Sequence, residues 1–337
     1  MKKIFLITFL LLNLSLLHGQ KVALHKTTGV QFFNGPTGLA GAYTAATTGD
    51  TIFLPGGSFT SPGNIDKGLV VFGTGHYVDS TLATGKTFIS GHVTLKENAD
   101  NFHIEGLEIL GNLNMAAFES VNNVSVVRCK MLNFDSQGDW ANPTSENTAL
   151  IGNVINMLNL ANSRNALVAN NIIKYGIDNT NGNLIKNNII LERLGNGYYE
   201  NFRGANNTIS NNVFLLQGSY GICYTSPGNS FFNNILAFSS PDYGPGATYL
   251  NNYSDIAPAD VFISQSGNTF NYAHDYHLKN TALTGNDGTQ SGIYGGAFPY
   301  KAGAVPVIPH FILKSIAAET NSNGELSIQI KVSAQEN

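Results

Sequence analysis

From Ala166 onward the chain repeats one figure: an apolar run, a pair of asparagines, a second apolar run. It reads ALVANNIIK, LIKNNIIL, TISNNVFL, FFNNILAF and TYLNNYSD. The second asparagines are Asn171, Asn188, Asn212, Asn234 and Asn252, at spacings of 17, 24, 22 and 18 residues. Three earlier stretches fit the same frame with other residues in the pair: HIEGLEIL (Glu105, Gly106), VVRCKML (Arg128, Cys129) and LIGNVINM (Gly152, Asn153). The flanks are short runs of Ile, Val, Phe and Leu, too short for helices and suited to brief strands. A short unit that recurs around a fixed polar corner is the mark of a solenoid. The leucine-rich spacing L-x-x-L-x-L-x-x-N is absent, as is the calcium-binding nonapeptide G-G-x-G-x-D. The pattern therefore predicts an all-β chain, a parallel β-helix in which each unit forms one coil of short strands.

Physical chemistry explains the pair. A sharp corner between strands needs a residue that tolerates left-handed backbone angles, and Asn is the best choice after Gly. An amide also both donates and accepts. Identical amides stacked at the strand spacing of about 4.8 Å can bond the coils above and below. These asparagines are thus read as a structural ladder rather than a catalytic site.

The ends follow from the open edges of such a stack, which must be covered. Leu39, Tyr43 and Ala46 share one face of a predicted short helix that plugs the first coil, and Asp50 to Leu54 opens the stack. HDYHLKNTALTGNDG and GIYGGAFPY are read as finishing the coils. Beyond the link AVPVIPH, Leu326, Ile328, Ile330 and Val332 alternate with polar residues. That alternation predicts a strand with one buried face, in a hairpin folded back on the barrel. The resulting division is a signal peptide at 1–19, a lead-in at 20–37, the β-helix with its helical cap at 38–303 and the hairpin cap at 304–337. Roughly nine to eleven coils fit that length.

The opening GLAGAYTAATTGDTIFLPGGSF, then GLVVFGTG, then the NN-I-I coils, resembles secreted right-handed parallel β-helix proteins of the pectin-lyase-like superfamily. The likeness is closest to those of Bacteroidetes-type bacteria. It implies a right-handed helix. It leaves activity open, because that superfamily includes lyases, hydrolases, epimerases and non-catalytic adhesins.

Composition narrows the classes. Lys2 and Lys3 precede an apolar run from Ile4 to Leu17 and a small Gly19, the layout of a secretory signal and too short a run to span a bilayer comfortably. The expected location is outside the cell, at the cell surface or in the periplasm, with no membrane span after cleavage. Charged residues are 12% of the chain and the net charge is −4, so nothing resembles the basic stripe of a nucleic-acid binder. The two cysteines, Cys129 and Cys223, could pair or stay as buried thiols. The expected state is a monomer without cofactor; calcium has no motif to support it.

Candidate chemistry lies elsewhere. His274, Asp275 and His277 are metal-like but lack an evident further ligand, so no metal site is assigned. Glu105 and Arg128 are read as occupying one corner position in successive coils, an opposite-charge pair. Aligning GIDN, GYYEN and GICY places Ile177, Tyr198 and Ile222 inward, and Asp178, Tyr199 and Cys223 outward. Asn159 and Trp140 extend the outward row backward. Arg193 and Arg203 border it from loops and would meet anionic groups. Rings, amides and arginines along one face suit a polysaccharide, because rings stack on apolar sugar faces while hydroxyls take hydrogen bonds. Asp178 and Glu200 are the candidate acid/base pair if the protein is a lyase or a glycoside hydrolase. The alternative is a non-catalytic surface, adhesion or glycan-binding module.

Overall fold

The computed structural model describes residues 20–139, 141–194, 200–216, 221–223 and 226–334. It is a parallel β-solenoid of about nine turns with few helices. One sheet stacks ten parallel strands: Thr51–Phe53, Val70–Phe72, His103–Glu105, Ser125–Val127, Ala149–Ile151, Leu167–Ala169, Leu184–Lys186, Thr208–Ser210, Ser230–Phe232 and Thr248–Leu250. A second sheet begins with Gly57–Thr60 and Thr87–Ser90 and ends with Ile235–Leu236. A third row branches from it, running through Asn64–Ile65, Val93–Leu95, Leu113–Met115, the far halves of Lys130–Ser136 and Val154–Asn159, Ile177–Asn181 and Phe202–Ala205. The central residue of every first-sheet strand but the last is buried, giving a column that includes Ile104, Val126, Leu150, Val168, Ile185, Ile209 and Phe231, while Tyr249 of the last strand is exposed.

The first sheet is so regular because its strands are framed by two left-handed corners. Leading corners lie at Asn101, Asn123, Asn147, Asn165, Gly182, Asn206, Gly228 and Gly246, and trailing corners at Gly106, Arg128, Gly152, Asn170, Asn187, Asn211, Asn233 and Asn251, all with φ between 52° and 74°. Each trailing corner follows its leading corner by five residues. All length variation between coils therefore falls outside this frame.

The asparagine pair divides its labour between its members. The first supplies the left-handed turn; the second points inward and forms the ladder. Asn171 Nδ2 donates to Asn188 Oδ1 (2.9 Å), Asn188 Nδ2 to Asn212 Oδ1 (2.9 Å), Asn212 Nδ2 to Asn234 Oδ1 (3.1 Å) and Asn234 Nδ2 to Asn252 Oδ1 (2.9 Å). Each of those Oδ1 atoms also accepts the backbone N–H of the preceding ladder residue. Asn153 begins the ladder, and Cys129, which stands where an earlier coil would continue it, donates its own N–H to Asn153 Oδ1. Asn252 is the half-buried end member.

The first asparagines also hold the C-terminal chain. Parallel strands stop at Leu250, so the segment read as further coils does something else. It turns back along the stack. Val261, Phe262, Tyr276, Leu278 and Ile293 cover the outward residues Ile172, Ile189, Val213 and Ile235 of the second sheet. Asn187 Nδ2 donates to Gly292 O (3.2 Å), and Asn170 Nδ2 to Ile293 O and Gly295 O (both 2.8 Å). Replacing Asn187 by Gly keeps the turn and loses one bond, whereas Asn187→Ala also strains the turn by about 1–2 kcal/mol. Equilibrium denaturation should therefore rank wild type, Asn187→Gly and Asn187→Ala in that order; equal stability of the two variants would contradict the assigned role.

The ends are built by different means. Strand β1 (Lys21–Lys26) pairs antiparallel with the first coil strand and with β2 (Gly29–Asn34), and helix α1 (Gly38–Ala45) buries Leu39 and Ala42 over that coil. At the other terminus, His310–Ile316 and Ile328–Ser333 form an antiparallel hairpin. The expected buried face is not buried: Leu326, Ile328, Ile330 and Val332 are 47–56% exposed. Alternation along a strand records one apolar side, but it does not require that this chain cover it. Among the described residues no helix is long and apolar enough to cross a membrane.

Candidate functional site

The third row carries the candidate site. Its outward positions follow one another through register pairs: Asn64 with Thr94, Thr94 with Asn114, Asn114 with Asp135, Asp135 with Asn159, and Asn159 with Asp178. This is one polar side chain per coil over six coils, while the intervening residues Val93, Leu113, Phe134, Leu158 and Ile177 are buried. Within the row Asn159 Nδ2 donates to Asp135 Oδ1 (2.9 Å), and Asn179, one residue past Asp178, donates from Nδ2 to Asn159 Oδ1 (3.3 Å).

Beyond Asp178 the structure departs from the sequence alignment. Ile177 pairs with Phe202, not with Tyr198, and the register shifts between Ile177 and Thr180. The third-row strand of this coil starts at Phe202, after Glu200 and Asn201. Arg203 takes the place assigned to Tyr199. Its Nε donates to Asp178 Oδ1 and its Nη2 to Asp178 Oδ2, both at 2.5 Å. Asp178 is buried in this two-pronged ion pair, with both carboxylate oxygens engaged. Glu200 is also buried. Arg193 lies in the loop after the second-sheet strand, where its backbone N–H donates to the Glu192 carboxylate. Trp140, Tyr198 and Tyr199 lie outside the described residues.

Cys223, aligned outward, is buried; it and Cys129 are free thiols whose pKa burial pushes up to about 12. Glu105 is in register with Val127, so Arg128 sits one residue beyond it at the trailing corner. The two still meet, with Arg128 Nη1 at 3.3 Å from Glu105 Oε1, and the same oxygen accepts the N–H of Val307 at 2.9 Å. Their pair fastens the returning chain. His277 Nδ1 lies 2.6 Å from Asp275 and the ring stacks on Tyr294, at a centroid distance of 3.8 Å. Among the described residues no group of three His, Cys, Asp or Glu is placed to hold a metal ion.

A second asparagine ladder runs along the leading corners. Asn183, Asn207 and Asn229 follow the leading corners, and the second and third accept from the one before: Asn183 N–H donates to Asn207 Oδ1 and Asn207 Nδ2 to Asn229 Oδ1, both 3.0 Å. The signal was present as NGN, ANN and PGN, five residues ahead of each NN corner. This ladder stiffens the turn just after the polar row.

No protein-family model, curated protein or solved structure matches this chain.

Proposed function

We propose that this protein is an exported β-helix of the pectin-lyase-like kind that binds an extracellular polysaccharide along the third-row face without cleaving it. The observation that carries the reading is the continuous file from Asn64 to Asp178, one amide, hydroxyl or carboxylate per coil. A rigid file of hydrogen-bonding groups at the strand spacing is suited to a polymer with regularly placed hydroxyls. Coils of like shape stack such positions into a continuous binding surface. Binding is favoured over cleavage because Asp178 is held by Arg203 and Glu200 is buried, leaving the proposed acid/base pair without a free member.

Asn114 gives the sharpest test. Its Oδ1 is buried without a partner, and its Nδ2 has only a 3.4 Å contact with Thr94. A truncation there removes little from the folded state but takes an amide out of the middle of the file. Asn114→Ala should weaken binding to the best ligand of a polysaccharide panel about tenfold, the loss of one good hydrogen bond from Nδ2, with the thermal midpoint nearly unchanged. Release of new chain ends by the wild type would overturn the non-catalytic reading. Unaltered affinity in Asn114→Ala would move the ligand off this face.

A further inference from the structure

A cleft of about 370 Å³ opens between the first two coils and the root of the C-terminal hairpin. That volume is within the range of small-molecule sites, about 300–1,000 Å³. One wall is made by Phe53 and Phe72, which project outward from successive strands of the first sheet with rings stacked 5.6 Å apart at 21°. Pro306, Pro309 and Phe311 line it from the returning chain. Rings therefore bound the space from both sides, which favours a flat apolar group over a branched one.

Charge selects further. Lys21 and Lys314 both line the cleft together with His310, and no carboxylate does. Among the described residues neither lysine belongs to an ion pair, in a chain whose net charge is −4. Two uncompensated ammonium groups beside an apolar slot complement an anion that carries a flat apolar body. The charge-assisted bond gains from the partial exclusion of water.

We propose that this cleft binds a small planar aromatic anion, with an aryl carboxylate as its simplest form. The site is distinct from the polar file and stands or falls independently of polysaccharide binding. It is assembled from the N-terminal strand β1, the first coils and residues 306–314, so it exists only when the returning chain is docked. An occupant would tie that chain to the N-terminal cap.

The test is calorimetric titration of the full chain with naphthoate, its neutral analogue naphthylmethanol and its cationic analogue naphthylmethylammonium. Naphthoate should bind at least about tenfold more tightly than the alcohol, the gain expected from one charge-assisted bond, and the cation should bind most weakly. The double variant Lys21→Gln/Lys314→Gln should bring naphthoate to the level of the alcohol. Ala83→Trp, which fills the cleft from a surface loop, should abolish binding of all three and so separates the cleft from the exposed apolar hairpin. Equal affinities for the three probes, or naphthoate binding unchanged in the double variant or in Ala83→Trp, would overturn the proposal.

Discussion

Asn188→Ala is expected to destabilise the protein by about 2–4 kcal/mol, among the largest effects available from a single surface-neutral change. Asn188 sits mid-ladder and is fully buried. Its Oδ1 accepts both the N–H and the Nδ2 of Asn171, at 2.9 Å each, and its Nδ2 donates to the carbonyl of Val168 in the preceding coil at 2.8 Å. Truncation leaves the buried Asn171 N–H, one hydrogen of the Asn171 amide and the Val168 carbonyl without this partner, each costing about 1–3 kcal/mol before relaxation and water entry reduce the sum. The cavity is too small and too well enclosed by the coils above and below to collapse freely. Urea or guanidinium unfolding read at several wavelengths would measure it. The comparison is Asn252→Ala at the half-exposed end of the ladder, which should lose much less. Equal losses at the two sites would mean that the ladder does not act as a stack.

The second large effect is a dependence on pH that originates at His76. This side chain is fully buried against Tyr77 and Tyr272, with Nδ1 3.2 Å from the Tyr272 hydroxyl and Nε2 without a partner. Burial, and then the ammonium groups of Lys130 and Lys86, lower its pKa to about 3. Both states are neutral above about pH 6.5, so the group contributes nothing to the pH dependence there. Below that value the unfolded chain takes up a proton that the folded chain refuses until about pH 3, so stability falls as the pH falls through this window. The slope approaches 1.4 kcal/mol per pH unit, which amounts to about 2–3 kcal/mol between pH 6.5 and 4.5. Tyr272 belongs to the returning chain, and Tyr77 bonds Tyr300 of the same segment at 2.8 Å, so the loss should weaken its docking first. Denaturation curves of wild type and His76→Phe across that range test the claim. The stability of wild type relative to His76→Phe should fall as the solution is acidified; a constant difference would place the acid sensitivity elsewhere.

The corner pattern shows why so much of the solenoid was legible in the chain. A ladder position needs an amide, and a left-handed corner needs Asn or Gly. Both demands recur at every coil because the neighbour that imposes them is the next copy of the same unit. Asn171, Asn188, Asn212 and Asn234 could therefore be recognised from repetition alone. The weaker copies were harder to frame. In HIEGLEIL the register places Gly106 and Leu107, not Glu105 and Gly106, at the pair, because the glycine carries the left-handed turn.

The outward row was legible only where coils keep their length. Asn159 and Asp178 were placed side by side from sequence and pair in register. The next coil carries an insertion before its third-row strand, and nothing local in GYYENFR says whether the strand resumes at Tyr198 or at Phe202. Packing decides: Phe202 fills the inward position beside Ile177 and lies tilted against Phe214 with ring centroids 5.6 Å apart, which turns Arg203 outward onto Asp178.

What the sequence by itself determined is thus the parallel solenoid, its asparagine ladder and the polar character of one face, all set by contacts between residues one repeat apart. The tertiary structure decided the rest: the return of the C-terminal chain along the trailing corners, the exposure of the hairpin, the fastening of Val307 by Glu105, and the capture of Asp178 by Arg203. Those depend on bonds such as Asn170 to Ile293 and Arg128 to Val305, which join segments with no repeat relation. A periodic pattern specifies its own neighbours, but a chain that leaves the period can be placed only by the surfaces it meets.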